Sequence, residues 1–508
     1  MIATEKIKTI ERLAELTANF RSEKKKVVHC HGCFDLLHIG HIRYLKQARE
    51  MGDVLVVTVT PDRYVDKGPH RPAFSEALRV EAIASLDCVD YVAINKWPTA
   101  EETLRLLKPD IYVKGSDFQS VESDKTGKLA GEARVAKKIG AELKITRDIV
   151  FSSTNLINRF VSTFPEEVEA YLNVFRTRYK PDDVLGILDR MSELNVLVIG
   201  DTILDDYQYC SSLGLSSKDP VVTVKFNSYD LFAGGVLAVA NHVANFAKHV
   251  QLATVLGEKK SYEEFIRSKL NQKITPHFMI QSKSPTTIKR RFVEGYSLNK
   301  LFEVYIMDDS GLPREQDEAL CRWLKSELSK YDLIIAADFG HGAISENQRK
   351  ILMEHARFLA VNTQANSGNR GFHTITKYSR ADFVSIAEHE IRLEMRDVRG
   401  DVRSMVKTIS TRLAASNFVL TRGKKGCLVQ SRDGSCVEVP AFAQKVVDRI
   451  GAGDAFFSIT ALAAYLGCDP ELIGVLGNIV GALAVEILGN QKSIDKMSVM
   501  KYITSMIK

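Results

Sequence analysis

Apolar stretches of strand length alternate with amphipathic stretches of helix length along nearly all of this chain. The alternation stops once and then restarts. Val27–Cys30, Asp53–Val59, Val89–Ile94, Ile111–Val113 and Leu143–Ile145 read as strands. Between them, Ile42–Arg49, Thr103–Leu107 and Leu129–Lys138 have helical spacing, and a leading helix is expected over Thr4–Phe20. Such alternation predicts a parallel sheet with helices on its faces, which binds ligands at the C-terminal ends of its strands. Residues 165–194 are charged and amphipathic, with Pro181 opening a short helix, and read as a helical connector. At Asn195 the pattern resumes with Val196–Asp201 and continues through Gln251–Leu256, Leu333–Ala337, Phe358–Val361, Phe418–Leu420 and Cys427–Gln430. Val221–Phe226 and Thr286–Val293 are strand-like but lack crossover helices, so they suit a small side sheet or lid. The expected fold is α/β in two domains, 1–164 and 195–508, and a chain of 508 residues has the length for both.

Composition narrows the partners. A net charge of +6 from 69 basic and 63 acidic residues is spread along the chain, with no basic tract beyond Lys24–Lys26, so a nucleic-acid partner is not expected. No apolar run reaches membrane-spanning length, and Met1–Lys6 lacks a signal peptide's apolar core. Eight scattered cysteines do not form a disulfide framework pattern, which suits a reducing cytoplasm.

The first half carries His38-Ile39-Gly40-His41 shortly after the first strand and a turn at Gly32. Gly40 lets a nucleotide approach the backbone. Two imidazoles at i, i+3 on a helix start can face one triphosphate and stabilise charge developing at its α-phosphorus. Metal is the rival reading, because His29, Cys30, His31, Cys33, His38 and His41 crowd together and Cys30-x-x-Cys33 looks like half a zinc site. However, no second pair follows at zinc-finger spacing, and Cys30 and His31 should alternate faces at the end of a strand.

Gly32–His41 resembles the signature of the HIGH-type nucleotidyltransferases, near their glycerol-phosphate cytidylyltransferase and heptose-phosphate adenylyltransferase members. The likeness continues through Asp62, Lys67–Pro72, Val89–Val92, Lys108–Asp110, Lys114–Asp117 and Phe151–Ile157, covering about residues 1–160. The resemblance implies that His38 and His41 stabilise the transition state of nucleotidyl transfer. It also implies that Gly32, Cys33 and Phe34 border the nucleotide, that Lys67 and Arg147 hold triphosphate, and that Ser152, Ser153 and Thr154 contact phosphate at a helix start.

In the second half, Gly451-Ala452-Gly453-Asp454 lies between strand-like Gln444–Val447 and an apolar helix. Its glycines allow a tight turn, its helix start suits an anion, and Asp454 is placed to accept a hydroxyl proton. Read alone, this is a glycine turn with a capping acid. Together with Thr421–Gly426, Ala233-Gly234-Gly235 and Ala337–Gly342 it resembles the ribokinase-like, phosphofructokinase B type sugar kinases over about residues 195–495.

That resemblance implies Asp454 as general base, the N–H groups of Ala452, Gly453 and Asp454 as the anion hole for the transferring γ-phosphoryl, and Gly451 beside the nucleotide. It implies Thr421, Gly423, Gly426 and Asn478 at ATP, and Asp201, Gly234 and Gly235 at the sugar. Glu390 would support Mg²⁺. Lys289 and Arg291, on the expected lid, could meet a substrate phosphate or be plain strand-surface charges. The chain departs from the family pattern at Ala238, Asn362–Gln364, Ala387, Arg449 and Ile450.

Both domain types occur together, kinase first, in the bifunctional heptose-7-phosphate kinase/heptose-1-phosphate adenylyltransferases. Here the order is reversed. The expectation is a cytoplasmic, homo-oligomeric enzyme of nucleotide-sugar synthesis. It would use Mg²⁺ and ATP to phosphorylate a sugar or sugar phosphate, and ATP or CTP to activate a sugar-1-phosphate or polyol phosphate. The alternative is an active nucleotidyltransferase whose kinase-like half serves for binding or regulation.

Overall fold

The computed structural model describes residues 3–65, 72–115, 128–146, 164–296, 298–308 and 310–507. The chain divides into two units, Met1–Pro165 with Thr504–Lys508, and Glu166–Ile503. The first contains β1 (Val27–Gly32), β2 (Val54–Val59), β3 (Tyr91–Ile94), β4 (Ile111–Lys114) and β5 (Glu142–Ile145). They pair in the order β3–β2–β1–β4–β5, all parallel. Strand order reverses at β1, so the crevice beyond the ends of β1 and β4 is the switch point at which such sheets take ligands. Helix Ile39–Arg49 begins there, directly after β1.

The leading helix is broken. Ala3–Lys6 and Ile10–Ser22 are helical, but Ile7 makes a parallel bridge to Val92 and extends the sheet beyond β3. Thr9 then restarts the helix by accepting the Arg12 N–H. The apolar spacing is helical throughout, so periodicity alone hides this edge contact.

Polar residues inside this sheet are paired. His29 Nε2 and His31 Nδ1 lie 2.8 and 2.9 Å from the Thr58 hydroxyl. Burial pushes His29 down to about 3, so its ring is neutral. Lys114 and Glu132 form a buried ion pair at 2.7 Å, and Glu132 also accepts from Tyr112 Oη (2.8 Å) and the Ala100 N–H (3.0 Å). Desolvation favours protonation of Glu132, yet the charges of Lys114 and His31 and the hydrogen bonds from Lys114 and Ala100 together outweigh it and hold the carboxyl at about 2.

The second unit contains β6 (Asn195–Leu215), β7 (Val222–Gly235), β8 (His249–Lys259), β9 (Ile274–Pro285), β10 (Ile288–Glu294) and β11 (Lys300–Ile306). It continues with β12 (Leu333–Asp338), β13 (Leu359–Thr363), β14 (Phe383–Ala387), β15 (Asn417–Thr421), β16 (Cys427–Ser431) and β17 (Cys436–Val439). The core sheet runs β9–β8–β6–β12–β13–β14–β15–β16–β17, parallel as far as β15. Strands β16 and β17 are antiparallel additions.

The far half of β6 leaves the core, pairs antiparallel with β7 and parallel with β10, and β10 pairs with β11. This is the expected side sheet, with a strand that the sequence reading ended at Asp201 and with β11 in addition. The extension was hidden because Asp205, Asp206, Gln208, Ser211 and Ser212 interrupt its apolar pattern. Gln444–Val447 is not a strand; Val447 is tied instead to the Val485 carbonyl at 2.8 Å.

Residues read as a connector form helices Glu166–Arg178 and Pro181–Met191 within the second unit. Leu172, Phe175, Val184 and Leu188 are fully buried, and Arg178 pairs with Glu471 at 2.7 Å.

The buried Lys114–Glu132 pair gives a stability test. Replacing Glu132 by Ala removes the buried counter-charge and should cost the first unit about 3–5 kcal/mol. A joint Lys114→Met, Glu132→Leu replacement should cost far less. Denaturant unfolding of both variants checks this, and equal losses would contradict it.

Candidate active sites

In the first unit the loop after β1 is shaped by Phe34, whose φ of +48° is left-handed, and by Gly32, where a Cβ would lie 3.1 Å from the Phe34 ring. The Phe34 ring stands edge-on to His41, with centroids 5.3 Å apart. His38 is the N-cap of helix Ile39–Arg49, and its Nδ1 accepts the Gly40 N–H at 3.1 Å. That bond leaves the proton of neutral His38 on Nε2, where it can be donated to a ligand. The His38 and His41 rings lie 4.0 Å apart, so two imidazoles meet at one helix N-terminus.

Arg79, which the sequence reading passed over, holds this loop from below. Its side chain is buried, with Nε donating to the Phe74 carbonyl (3.0 Å) and Nη2 to the Thr60 carbonyl (2.9 Å) and Asp62 (2.5 Å). Nη1 donates to the Cys33 carbonyl. Lys67, Arg147, Ser152, Ser153 and Thr154 lie outside the described residues.

In the second unit Gly451 caps helix Ala452–Tyr465 with φ +80°, so the chain enters the helix through a left-handed turn. Asp454 stands in the first turn. Burial and the charge of Asp205 push its carboxyl up to about 7, against the opposing pull of Lys289; Glu390 adds a further upward push.

The sequence reading did not single out Asp205. It is buried on the lid half of β6, accepts Arg291 Nη1 at 2.5 Å and accepts Asn490 Nδ2 at 2.9 Å. Arg291 is held in turn by Glu303 at 2.9 Å. Lys289, on the same strand, is buried with its ammonium 5.1 Å from the Tyr305 ring centroid and has no salt bridge among the described residues. Burial lowers its pKa. Neither cation is a strand-surface charge.

Asp201 has a different position. Its two oxygens accept the Phe339 and Ala343 N–H groups, each at 2.9 Å, and so fix the loop after β12. Asp448 similarly anchors the glycine turn, accepting from Tyr207 (2.6 Å), Lys300 (2.6 Å) and the Gly489 N–H (3.0 Å). Gly234 is required by space, since a Cβ there would lie 2.0 Å from Asp205 Oδ2. Gly235 has φ +56°.

The remaining expected residues gather at the ends of β14–β17. Thr421 ends β15, Gly423 and Gly426 adopt φ of +57° and +82°, and a Cβ on Gly426 would meet the Val439 carbonyl. Asn478 is buried, its amide 3.2 Å from the Val439 carbonyl and 3.3 Å from Cys427 Sγ, so it ties its helix to the sheet. Glu390 accepts the Ala387 and Ala365 N–H groups at 2.7 and 2.9 Å. Among the described residues no cluster of three or more His, Cys, Asp or Glu side chains is arranged to hold a metal. The donor set therefore fits Mg²⁺ only as an ion carried by nucleotide phosphates and leaning on one or two carboxylates.

Similarity searches divide the chain in the same way. Residues 29–159 match the cytidylyltransferase-like family and residues 193–497 the pfkB family carbohydrate kinases. A stretch of 162 residues is 40% identical to the bifunctional protein HldE of Citrifermentans bemidjiense, covering 31% of this chain and 32% of that protein. The HldE of Aliarcobacter butzleri is 38% identical over 156 residues, 30% of each chain. The chain thus spans about a third of the length of these relatives. Among solved structures, phosphofructokinase-2 from Escherichia coli in complex with substrates and products superposes with a TM-score of 0.51 at 14% identity, covering 62% of this chain and 100% of that one. The tetrameric inhibited form of that enzyme gives 0.50 at 14% identity, over 61% and 99%. Among the described residues no helix is long and apolar enough to cross a membrane.

The glycine turn yields a second stability test. Gly451→Ala forces a left-handed φ on alanine and places its Cβ 2.2 Å from Asn490 Oδ1. It should destabilise the second unit by about 1–3 kcal/mol in urea unfolding. An unchanged midpoint would show that the turn relaxes at no cost.

Proposed function

We propose a function from one premise: this chain belongs to the pfkB family of carbohydrate kinases and carries a cytidylyltransferase-like domain ahead of the kinase. The second unit phosphorylates a sugar or sugar phosphate from ATP. The first transfers a nucleotidyl group from ATP or CTP to a sugar-1-phosphate or polyol phosphate and releases pyrophosphate. A heptose phosphate is the favoured sugar. The two reactions serve one route to a nucleotide-activated sugar.

The observation that carries the kinase reading is the helix start at Gly451, entered at φ +80° with Asp454 in its first turn, where burial and the charge of Asp205 raise the carboxyl to about 7. Asp454 takes the proton of the attacking hydroxyl, and the oxygen then bonds to the γ-phosphorus as ADP leaves. The N–H groups of Ala452, Gly453 and Asp454 point at the transferring phosphoryl. Thr421, Gly423 and Gly426 border ATP. Asp205, Gly234 and Gly235 border the acceptor. Asp201 supports that site through the loop it fixes, and Asn478 supports the ATP side through the sheet. Lys289, buried without a salt bridge among the described residues, meets a phosphate carried by the acceptor, while Arg291 holds Asp205. Mg²⁺ enters on the nucleotide and neutralises phosphate charge, with Glu390 the nearby carboxylate.

In the first unit the acceptor's phosphate oxygen attacks the α-phosphorus in line with departing pyrophosphate. His38 and His41 stabilise the charge that develops, and no covalent intermediate is needed. Lys67, Arg147, Ser152, Ser153 and Thr154 hold the triphosphate, and Cys33 and Phe34 line the nucleotide. The enzyme is a cytoplasmic homo-oligomer in this reading; the E. coli phosphofructokinase-2 with the same fold is described in a tetrameric form.

A second reading, a kinase-like unit that binds without phosphorylating, is favoured by Glu390, whose oxygens already accept two backbone N–H groups. Phosphoryl transfer to a panel of sugars and sugar phosphates separates the two. Wild type should turn over and Asp454→Asn should not; equal background in both would remove the kinase. Because Asp454 acts as a carboxylate with its pKa near 7, kcat/KM for the kinase should fall as pH drops through about 7. A profile flat down to pH 5 would exclude that assignment. His41→Ala should lose ~10²-fold or more of nucleotidyl transfer while phosphoryl transfer stays intact. Product analysis by mass spectrometry reads both activities and fixes the nucleotide.

A further inference from the structure

Asn490 is not one of the residues expected at either centre, and it lies outside every motif that the sequence offers. It follows Gly489, whose φ is +52° and whose N–H is fixed by Asp448 at 3.0 Å. This anchoring turns the Asn490 side chain toward the kinase centre. There its Nδ2 donates to Asp205 Oδ2 at 2.9 Å. The same nitrogen lies 3.2 Å from where a Cβ on Gly234 would be, and Oδ1 lies 2.2 Å from where one on Gly451 would be. One amide therefore fills the space between the acceptor-side glycines, the glycine turn of the base and the Asp205 carboxylate.

We propose that Asn490 is a positioning residue of the kinase centre: its amide holds Asp205 at a fixed place against the Gly451 turn, so that Asp205 meets the acceptor hydroxyls in register with Asp454. The inference rests on the kinase reading above. Arg291 grips Asp205 through Oδ1 only. Asn490 supplies the second point, on Oδ2, from an element anchored to the same Asp448 that fixes the glycine turn. A carboxylate held at both oxygens by neighbours on different elements is pre-organised, and pre-organisation is expressed as acceptor affinity.

The amide also has to be an amide. An aspartate at this position would have nearly the same shape but would turn a donor into a second carboxylate against Asp205, reversing attraction into repulsion.

The test uses the full chain, with the sugar or sugar phosphate that the acceptor panel identifies as the best substrate. Asn490→Ala should raise the acceptor KM about tenfold or more and leave the KM for ATP within twofold. Asn490→Asp, the closest in shape, should be worse than Asn490→Ala. Unchanged acceptor KM in a folded Asn490→Ala chain would overturn the proposal, as would equal loss of acceptor and ATP affinity. Asn490→Asp at wild-type acceptor KM would also overturn it. If wild type transfers phosphate to nothing in the panel, the kinase reading fails, and a crystal structure of Asn490→Ala decides the geometry. A carboxylate of Asp205 that rotates away supports the positioning role, and one left in place refutes it.

Discussion

Two carboxylates have to occupy one poorly solvated space in the second unit, and much of its architecture follows from tolerating their repulsion. Burial is the larger cause of the raised pKa of Asp454, and the charge of Asp205 adds to it. Arg291 offsets the charge of Asp205, and Glu303 keeps Arg291 in place. Gly234 and Gly451 give up their Cβ atoms where the Asp205 carboxylate and the Asn490 amide need the room. The lid exists in this form because β6 runs past the core sheet and carries Asp205 with it to pair with the strand of Lys289 and Arg291.

The first unit places two imidazoles, His38 and His41, at a helix start where the second unit places a carboxylate. His38 uses Nδ1 to cap its own helix, which fixes the tautomer that presents Nε2–H. Arg79 directs four of its five N–H groups to three backbone carbonyls and Asp62, and Nη1 also lies 3.9 Å from Cys33 Sγ, so it acts as a strut for the loop. A buried guanidinium can bind this many carbonyls because its donors are fixed in one plane.

The two-domain α/β organisation was legible because parallel strands buried on both faces read as apolar runs, as Leu55–Val57 and Leu333–Ala337 do. Motifs whose function lies in backbone conformation were legible as well: Gly451 and Gly426 sit at left-handed φ where only glycine is at ease. What escaped was of another kind. Asp205 and Asn490 meet across 285 residues, and no local pattern marks either one. Arg79 reads as an ordinary charge on a helix, and only its burial shows otherwise. The extension of β6 escaped because it buries Asp205 and Asp206 among its apolar residues and is exposed from Ser211 onward, which dilutes the apolar signal.

Asp201 and Asp205 show how one strand assigns opposite tasks to the same side chain. They are four residues apart on β6 and both are buried, and the family resemblance marks only Asp201. Asp201 is inside the core sheet, where the loop after β12 brings two N–H groups to its oxygens. Burial and the neighbouring Asp338 lift its pKa to about 6 against the opposing pull of backbone N–H groups, and its bonds hold that loop. Asp205 is beyond the core, where the strand has passed into the lid and the partners are side chains, Arg291 and Asn490. Each acid is buried and bonded at both oxygens, Asp201 by two backbone N–H groups and Asp205 by two side chains. The division between the two acids is therefore set by where β6 leaves one sheet for the other.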